Sequence, residues 1–158
     1  MKKLLLFAIV SIFLLPSCAT IMSGTKKNVI LVELPKDLEV KKGSEVLEIK
    51  DRRAASANNG NGHSTLYMYP GVRVKLTNDL SLKLISGGQT ASVPVMYNYM
   101  IGGLIFETFY TLGVGTIIDL VTGAAKKPKL RYIDVPAAFN KTKPRSQKEL
   151  KRVVMGMN

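Results

Sequence analysis

Cysteine and histidine, the side chains that most often ligate metals or serve as nucleophile and base, occur once each in the 158 residues, as Cys18 and His63. A single cysteine excludes a disulfide within one molecule. A zinc site needs several such ligands close together, and no second residue of either type accompanies His63. His63 follows the turn-rich sequence Asn58-Asn59-Gly60-Asn61-Gly62, so we predict a solvated loop residue and no metal site.

The sequence patterns of other catalytic classes are missing as well. No serine stands in a Gly-x-Ser-x-Gly elbow with a histidine to activate it. Gly60 and Gly62 are not followed by the Gly-Lys-Ser/Thr of a phosphate loop. Several acidic residues have the spacing of solvent-facing strand positions: Glu33, Asp37, Glu39, Glu45, Glu48 and Asp51. The sequence therefore predicts a protein that is not an enzyme and that needs no cofactor.

The N-terminus has the layout of a cleavable secretory signal. Lys2 and Lys3 precede the almost entirely apolar run Leu4–Leu15, and Pro16-Ser17 ends this run. The run is too short for a lasting membrane span. We therefore expect residues 1–17 to be removed as a signal peptide.

The sequence Leu15-Pro16-Ser17-Cys18 resembles the lipobox of bacterial lipoproteins, with an aliphatic residue three positions before the cysteine and a small residue directly before it. The resemblance implies cleavage between Ser17 and Cys18, a diacylglycerol on the Cys18 thiol and an acyl group on the new amine. The alternative is an ordinary signal peptide with a chance cysteine, but lipidation explains an unpaired thiol in an exported protein. Two or three acyl chains hold a protein firmly on a membrane, whereas one binds only marginally.

The residue after the cysteine bears on which membrane holds the lipid anchor. In enteric-type Gram-negative bacteria an Asp at this position retains a lipoprotein in the inner membrane, and its absence sends the protein outward. By this resemblance Ala19 implies a cell-envelope protein that is anchored in the outer membrane and faces the periplasm.

Positive charge dominates the chain. Without residues 1–17 the formal net charge falls from +12 to +10 over 141 residues, a length that suits one modest domain. Such a balance favours nucleic acid, anionic lipid or acidic wall polymer as partner, or else a solvated positive face. Export and the lack of a nucleic-acid-binding signature argue against nucleic acid, which leaves an anionic envelope surface as partner or, more commonly for such a charge balance, a solvated positive face.

Alternating apolar residues and intervening turns predict several short strands in a single domain over residues 28–135, after a connector at 18–27. The predicted strands are Val29–Val32, Leu38–Lys41, Glu45–Lys50, Thr65–Tyr69, Val72–Leu76, Leu80–Leu84, Ala91–Val95 and Leu130–Val135. Gly43 and Gly87-Gly88 predict hairpin turns. Residues 54–63 are predicted to interrupt the succession of strands with a loop. We therefore predict a mainly β, α+β protein with a small antiparallel sheet or sandwich.

The glycine-rich segment 100–124 is apolar and longer than a strand. One interpretation is a helix, or a helical hairpin bent near residues 113–115, that covers the sheet. The other is contact with membrane or protein partners through small residues, namely Gly102, Gly103, Gly113 and Gly115. Glu107 and Asp119 argue against a bilayer span, since one acid at the bilayer centre costs about 2.5–3.5 kcal/mol. We favour packing on the sheet.

The basic tail, residues 136–158, contains the signature of a short amphipathic helix. Ser146 and Glu149 have the spacing of a capping box. Apolar residues follow at helical spacing: Leu150, Val153, Val154 and Met157. So short a helix is marginal alone and needs a surface on which to pack. We also expect the basic segment 141–152 to attract anionic lipid or wall polymer.

Two parts of the chain resemble a group of small bacterial envelope lipoproteins of largely uncharacterised function. One is Cys18-Ala19-Thr20-Ile21 with Ser23-Gly24-Thr25, and the other is Gly102-Gly103-Leu104-Ile105 with Asp119, Thr122-Gly123-Ala124 and Pro128. The part between them is similar to small β-domains of the PEGA type, although Leu34-Pro35-Lys36-Asp37 stands where such domains have Pro-x-Gly-Ala.

The resemblance implies a lipid-anchored envelope protein and brings no catalytic residues. We therefore predict a non-enzymatic structural or adaptor role. The alternatives are a periplasmic ligand-binding module, with a small apolar molecule between sheet and helices, and a membrane-embedded oligomer formed through the glycine-rich segment.

Overall fold

The computed structural model describes residues 25–58, 60, 62–101, 105 and 114–157. In chain order its strands are β1 (Lys26–Val32), β2 (Glu39–Lys42), β3 (Glu45–Leu47), β4 (Lys50–Asn58), β5 (Ser64–Lys75), β6 (Ser81–Ser86), β7 (Gln89–Pro94), β8 (Tyr97–Tyr99), β9 (Lys126–Pro128) and β10 (Tyr132–Asp134). Its helices are α1 (Val114–Thr122), α2 (Val135–Asn140) and α3 (Gln147–Val154).

Two four-stranded sheets form a sandwich. Sheet 1 has the order β10-β1-β5-β4 and sheet 2 the order β3-β2-β6-β7. All neighbours are antiparallel except β1 and β10, which run parallel. A separate antiparallel pair, β8 and β9, lies beside them. The mainly β, α+β class with small antiparallel sheets and a short C-terminal helix is thus confirmed.

Alternating side chains from the two sheets fill the core between them. Val29 and Leu31 of β1 meet Leu82 and Leu84 of β6, and all four are fully buried. Because successive side chains of a strand point to opposite faces, the residues between them face outward. The hairpin turns predicted at Gly43 and at Gly87-Gly88 are confirmed, and these three glycines have positive φ angles of 61°, 53° and 76°.

The outer face of sheet 1 is also apolar, and α3 covers it. Leu150 and Val154 pack against Ile30, Val32 and neighbouring side chains of this sheet. The capping box is confirmed: the Glu149 amide donates to Ser146 Oγ, and the Ser146 amide donates to Glu149 Oε2 at 2.8 Å. The surface that so short a helix requires is therefore the second face of sheet 1.

The prediction that residues 54–63 interrupt the strand order is wrong for the first half of that range. β4 continues to Asn58 and contains a bulge between Arg53 and Ala55. Ala54 and Ala55 are both buried, because a bulge turns consecutive side chains away from simple alternation. Small residues at a bulge do not show the alternation of apolar and polar residues that predicts a strand, so this part of β4 was not predicted.

Pro70-Gly71 does not separate two strands, since β5 runs through it from Ser64 to Lys75. Gly71 instead permits a close approach. A Cβ atom at this position would lie 2.6 Å from the backbone oxygen of Val29 on β1. The glycine therefore serves strand packing in the middle of sheet 1 rather than a turn.

The predicted strand Leu130–Val135 is shorter in the structure and leads into a helix that the sequence did not predict. β10 ends at Asp134, whose carboxylate caps α2 by accepting from the Ala137 amide at 3.4 Å. Pro136 occupies the first turn of α2, where its missing amide hydrogen leaves no helical bond unmade.

The Leu150→Ala substitution tests how far the sandwich depends on α3. We expect it to lower the free energy of unfolding by about 2–5 kcal/mol, because it opens a cavity beneath a fully buried side chain. Urea unfolding followed by circular dichroism measures the change. Lys151→Ala, on the exposed side of the same helix, is the matched control and should stay within about 0.5 kcal/mol of wild type. Equal effects of the two substitutions would contradict this account.

Candidate functional site: a basic cavity at one end of the sandwich

A cavity of about 710 Å³ opens on sheet 1, near the start of β1. Seven of its lining residues are cationic: Lys26, Lys27, Arg52, Arg53, Arg73, Lys127 and Arg131. Asp51 is the one acidic residue among the described residues that line it. We call this feature the basic cavity. Its charge makes an anion the natural occupant.

Strand register places several of these cations together. Asn28 pairs with Arg73 and Lys26 with Lys75, so their side chains share the face that carries Ile30 further along β1. β10 pairs only with Ile30–Val32, which leaves the first half of β1 beside the cavity. The early residues of β1 therefore supply two lysines, Lys26 and Lys27, to the lining of the site.

The bulge in β4 positions the arginines. Arg131 Nη2 donates to the backbone oxygen of Arg53 at 2.9 Å, and Tyr132 Oη donates to that of Ala54 at 2.7 Å. These bonds connect the edge strands β4 and β10 across the outer face of sheet 1. They hold Arg131 close to the Arg52-Arg53 pair, so the wall of the basic cavity is built by contacts far apart in sequence.

The pair β8 and β9 forms the remaining side. Lys126 Nζ lies 4.1 Å from the centre of the Tyr97 ring, and Tyr97 Oη donates to Asn78 Oδ1 at 2.6 Å. A cation over an aromatic face is attracted by the ring's negative potential. The first contact holds β8 and β9 together, and the second attaches the pair to the loop before β6. Met100 and Lys127, next to and within this pair, line the cavity.

The charge of the basic cavity is poorly compensated by the described residues. Lys26, Arg52, Arg53, Arg73 and Lys127 form no ion pair with any of them. Within the same part of the chain, Arg52 Nε is buried and has no hydrogen-bond partner. Burial lowers the pKa of Lys27, the Asp119 carboxylate opposes this shift, and the positive charge of Arg73 adds to it. Such a cluster favours binding of an anion.

Sequence reasoning placed the anionic contact in the tail, and the structure shows that the tail's Arg145 is already engaged. Its guanidinium donates to both carboxylate oxygens of Glu33, at 2.9 and 2.8 Å, and to both of Asp134, at 2.8 and 2.9 Å. Asp134 is buried at the end of β10. Arg145 thereby connects the tail to the ends of β1 and β10. The signal for the basic cavity was the Arg52-Arg53 pair, which looks like an ordinary solvated charge in sequence.

A second, smaller cavity of about 290 Å³ lies between β7, β10, α2 and α3. Apolar side chains contribute to its lining, among them Val93, Ile133, Ala137 and Leu150. Asp134 and Arg145 also line it. Its position between sheet and helices is the one expected for the ligand-binding alternative, and its volume is near the lower end of the roughly 300–1,000 Å³ typical of small-molecule sites.

The other residues singled out from the sequence are distributed as follows. Ser17, Cys18, Gly102, Gly103 and Gly113 lie outside the described residues. Gly115 lies in α1. His63 is exposed in the connection between β4 and β5. In the described part of the chain, no group of three or more His, Cys, Asp or Glu is arranged to hold a metal ion, and no helix there is long and apolar enough to cross a membrane.

The chain matches no protein-family model, no curated protein and no solved structure. The resemblance to envelope lipoproteins and to PEGA-type domains therefore stays a prediction from sequence.

Asp134 makes the stability of this region dependent on pH. Hydrogen bonds from Arg145 lower the pKa of Asp134 from 3.8 to about 2, so its ionised form stabilises the fold above pH 4 and this contribution disappears as the pH falls toward 2. Asp134→Asn should lower the free energy of unfolding by about 2 kcal/mol at pH 7 and flatten the loss of stability between pH 4 and 2. Urea unfolding at a series of pH values measures both effects.

The matched control for this measurement is Asp51→Asn, an exposed carboxylate outside the Arg145 contacts. It should retain the wild-type profile. If Asp134→Asn unfolds with the same pH dependence as wild type, Arg145 does not stabilise the fold through Asp134.

Proposed function

We propose that this protein is a lipid-anchored protein of the bacterial cell envelope with a non-enzymatic structural or adaptor role. The observation on which the proposal depends is the sequence Leu15-Pro16-Ser17-Cys18 at the end of a short apolar run, with Cys18 the only cysteine. In this proposal Cys18 holds the protein on the membrane and the β-sandwich is the working part. Ala19 favours the outer membrane, facing the periplasm.

The start of the sandwich agrees with a short tether. β1 begins at Lys26, eight residues after Cys18. A chain of eight residues spans at most about 29 Å even when fully extended. A domain tethered in this way stays close to the lipid headgroups, which suits a protein that contacts the membrane or connects it to another envelope component.

A second candidate function is a periplasmic ligand-binding module. The observation that favours it is the 290 Å³ cavity between β7, β10, α2 and α3, with its largely apolar lining. A small molecule retained there would be detected as added mass when the purified protein is analysed under native conditions.

Intact mass of the protein purified from membranes tests the main proposal. We expect a chain that begins at Cys18 and bears diacylglycerol and an N-linked acyl group, in the outer-membrane fraction of a density gradient. Cys18→Ala is the control, and it should be neither acylated nor cleaved at this site. An unmodified thiol, or a mature chain that starts at another residue, would rule out the lipid anchor.

A further inference from the structure

Helix α1 exposes several apolar side chains and buries an acidic one. Asp119 is completely buried, whereas Ile117 is 64% exposed and Val121 is 80% exposed. A helix on a globular protein ordinarily turns its apolar stripe toward the core. Further exposed apolar residues on α1 or on the segment after β7 are Met96, Ile101, Ile105 and Leu120.

Polar contacts attach α1 to the sandwich. Lys27 Nζ, at the start of β1, donates to the backbone oxygen of Ala124 just after α1, at 2.9 Å. The Asp119 charge favours the ammonium form of Lys27. Since these contacts hold the helix, the aliphatic side chains of Ile117 and Val121 are not needed for the core and remain on the surface.

These apolar side chains lie on chain segments that lead directly into the basic cavity. Met100 lines the cavity and directly precedes Ile101, while the turn after α1 leads straight into β9, whose Lys127 also lines it. β1 enters at the same end with Lys26. One end of the sandwich therefore combines cations, exposed aliphatic residues and the chain that comes from Cys18.

We infer that this end is a binding surface for anionic phospholipid, in which the basic cavity takes the headgroup phosphate and Ile117, Leu120 and Val121 contact the acyl-chain boundary. Cations are attracted to an anionic leaflet, and helices with exposed aliphatic residues lie at the headgroup boundary. A purely polyanionic partner such as wall polymer would leave the aliphatic residues unused. The inference rests on the proposed function only for the nearness of the tether to the membrane.

Short-chain lipids test headgroup recognition in the full processed protein. Dihexanoyl phosphatidylglycerol is titrated calorimetrically in neutral detergent, beside dihexanoyl phosphatidylcholine, which has the same chains without net charge, and inorganic phosphate, which has charge without chains. We expect the phosphatidylglycerol to bind at least tenfold more tightly than either. Arg73→Gln with Lys127→Gln, both exposed, should weaken its binding about 10- to 30-fold, given the attraction of each cation to anionic lipid.

The matched control removes two exposed lysines from the basic tail, Lys143→Gln with Lys148→Gln, and should change the affinity less than twofold. Equal losses in the two double variants would mean that only net charge matters, and a larger loss in the tail variant would place the contact there. If phosphatidylcholine or inorganic phosphate binds as tightly as phosphatidylglycerol, anionic lipid is not the ligand of this surface. Each of these results overturns the inference. Calorimetry measures headgroup binding whether or not Cys18 is acylated. A protein without a lipid anchor can therefore be distinguished from a protein that does not bind the headgroup.

The lack of tryptophan in the chain permits a second readout. Val121→Trp introduces a single indole on α1, and Val46→Trp introduces one at another exposed apolar position, on β3. In vesicles with brominated phosphatidylglycerol, we expect quenching of the indole at position 121 and none at position 46. Quenching at both positions, or at neither, would contradict a lipid-contacting α1.

Discussion

Strand β1 is buried on both faces, and most of the structure is arranged to cover it. One face packs into the core between the sheets through Val29 and Leu31, and the other lies under α3 through Ile30 and Val32. A strand of this kind needs a second apolar layer as well as a sheet partner. The close approach at Gly71, the parallel pairing with β10 and the position of α3 are three consequences of that requirement.

The beginning of β1 differs in character from its middle. Lys27 occupies an inward-facing position of the strand, where burial and the nearby charge of Arg73 disfavour its ammonium form. The groups that favour the ammonium form, the Asp119 carboxylate and the backbone oxygen of Ala124, come from α1 and the turn after it. The need to satisfy this lysine brings the acidic side of α1 inward. The same geometry turns the aliphatic side of α1 outward, next to a cavity whose cations have few acidic neighbours. Burial of one charged residue thus determines which chemistry this end of the molecule presents.

Local signals in the sequence were sufficient for the features that depend on neighbouring residues. The capping box at Ser146 and the glycine turns at Gly43 and Gly87-Gly88 involve residues a few positions apart, and they form as predicted. β4 was missed because its buried residues, Ala54 and Ala55, are small and lie at a bulge, and Ala54 is buried by Tyr132 and α3. α2 was missed because its cap, Asp134, looks like part of a strand until Arg145 is placed beside it.

The candidate site was harder to predict than the fold for the same reason. Arg52 and Arg73 lie on two separate strands, whereas Lys127 and Arg131 are four residues apart, and these three segments meet only when the sheet forms. Each segment by itself has the appearance of an ordinary charged surface, so the prediction went to the basic tail instead. The cations of the tail are close together in sequence, but one of them, Arg145, is neutralised in the folded protein by Glu33 and Asp134.

The parallel pairing of β1 with β10 has a consequence for the order in which the molecule assembles. Ile30 aligns with Tyr132, so the first strand of the domain acquires one of its two neighbours only after about a hundred further residues have been supplied. Contacts of such long range slow folding, since a long loop must close before they form. A chain that emerges from its N-terminus therefore exposes one edge of its most buried strand until nearly the whole polypeptide has been delivered. Throughout this interval a factor that binds extended apolar segments would find in β1 an open strand edge to occupy.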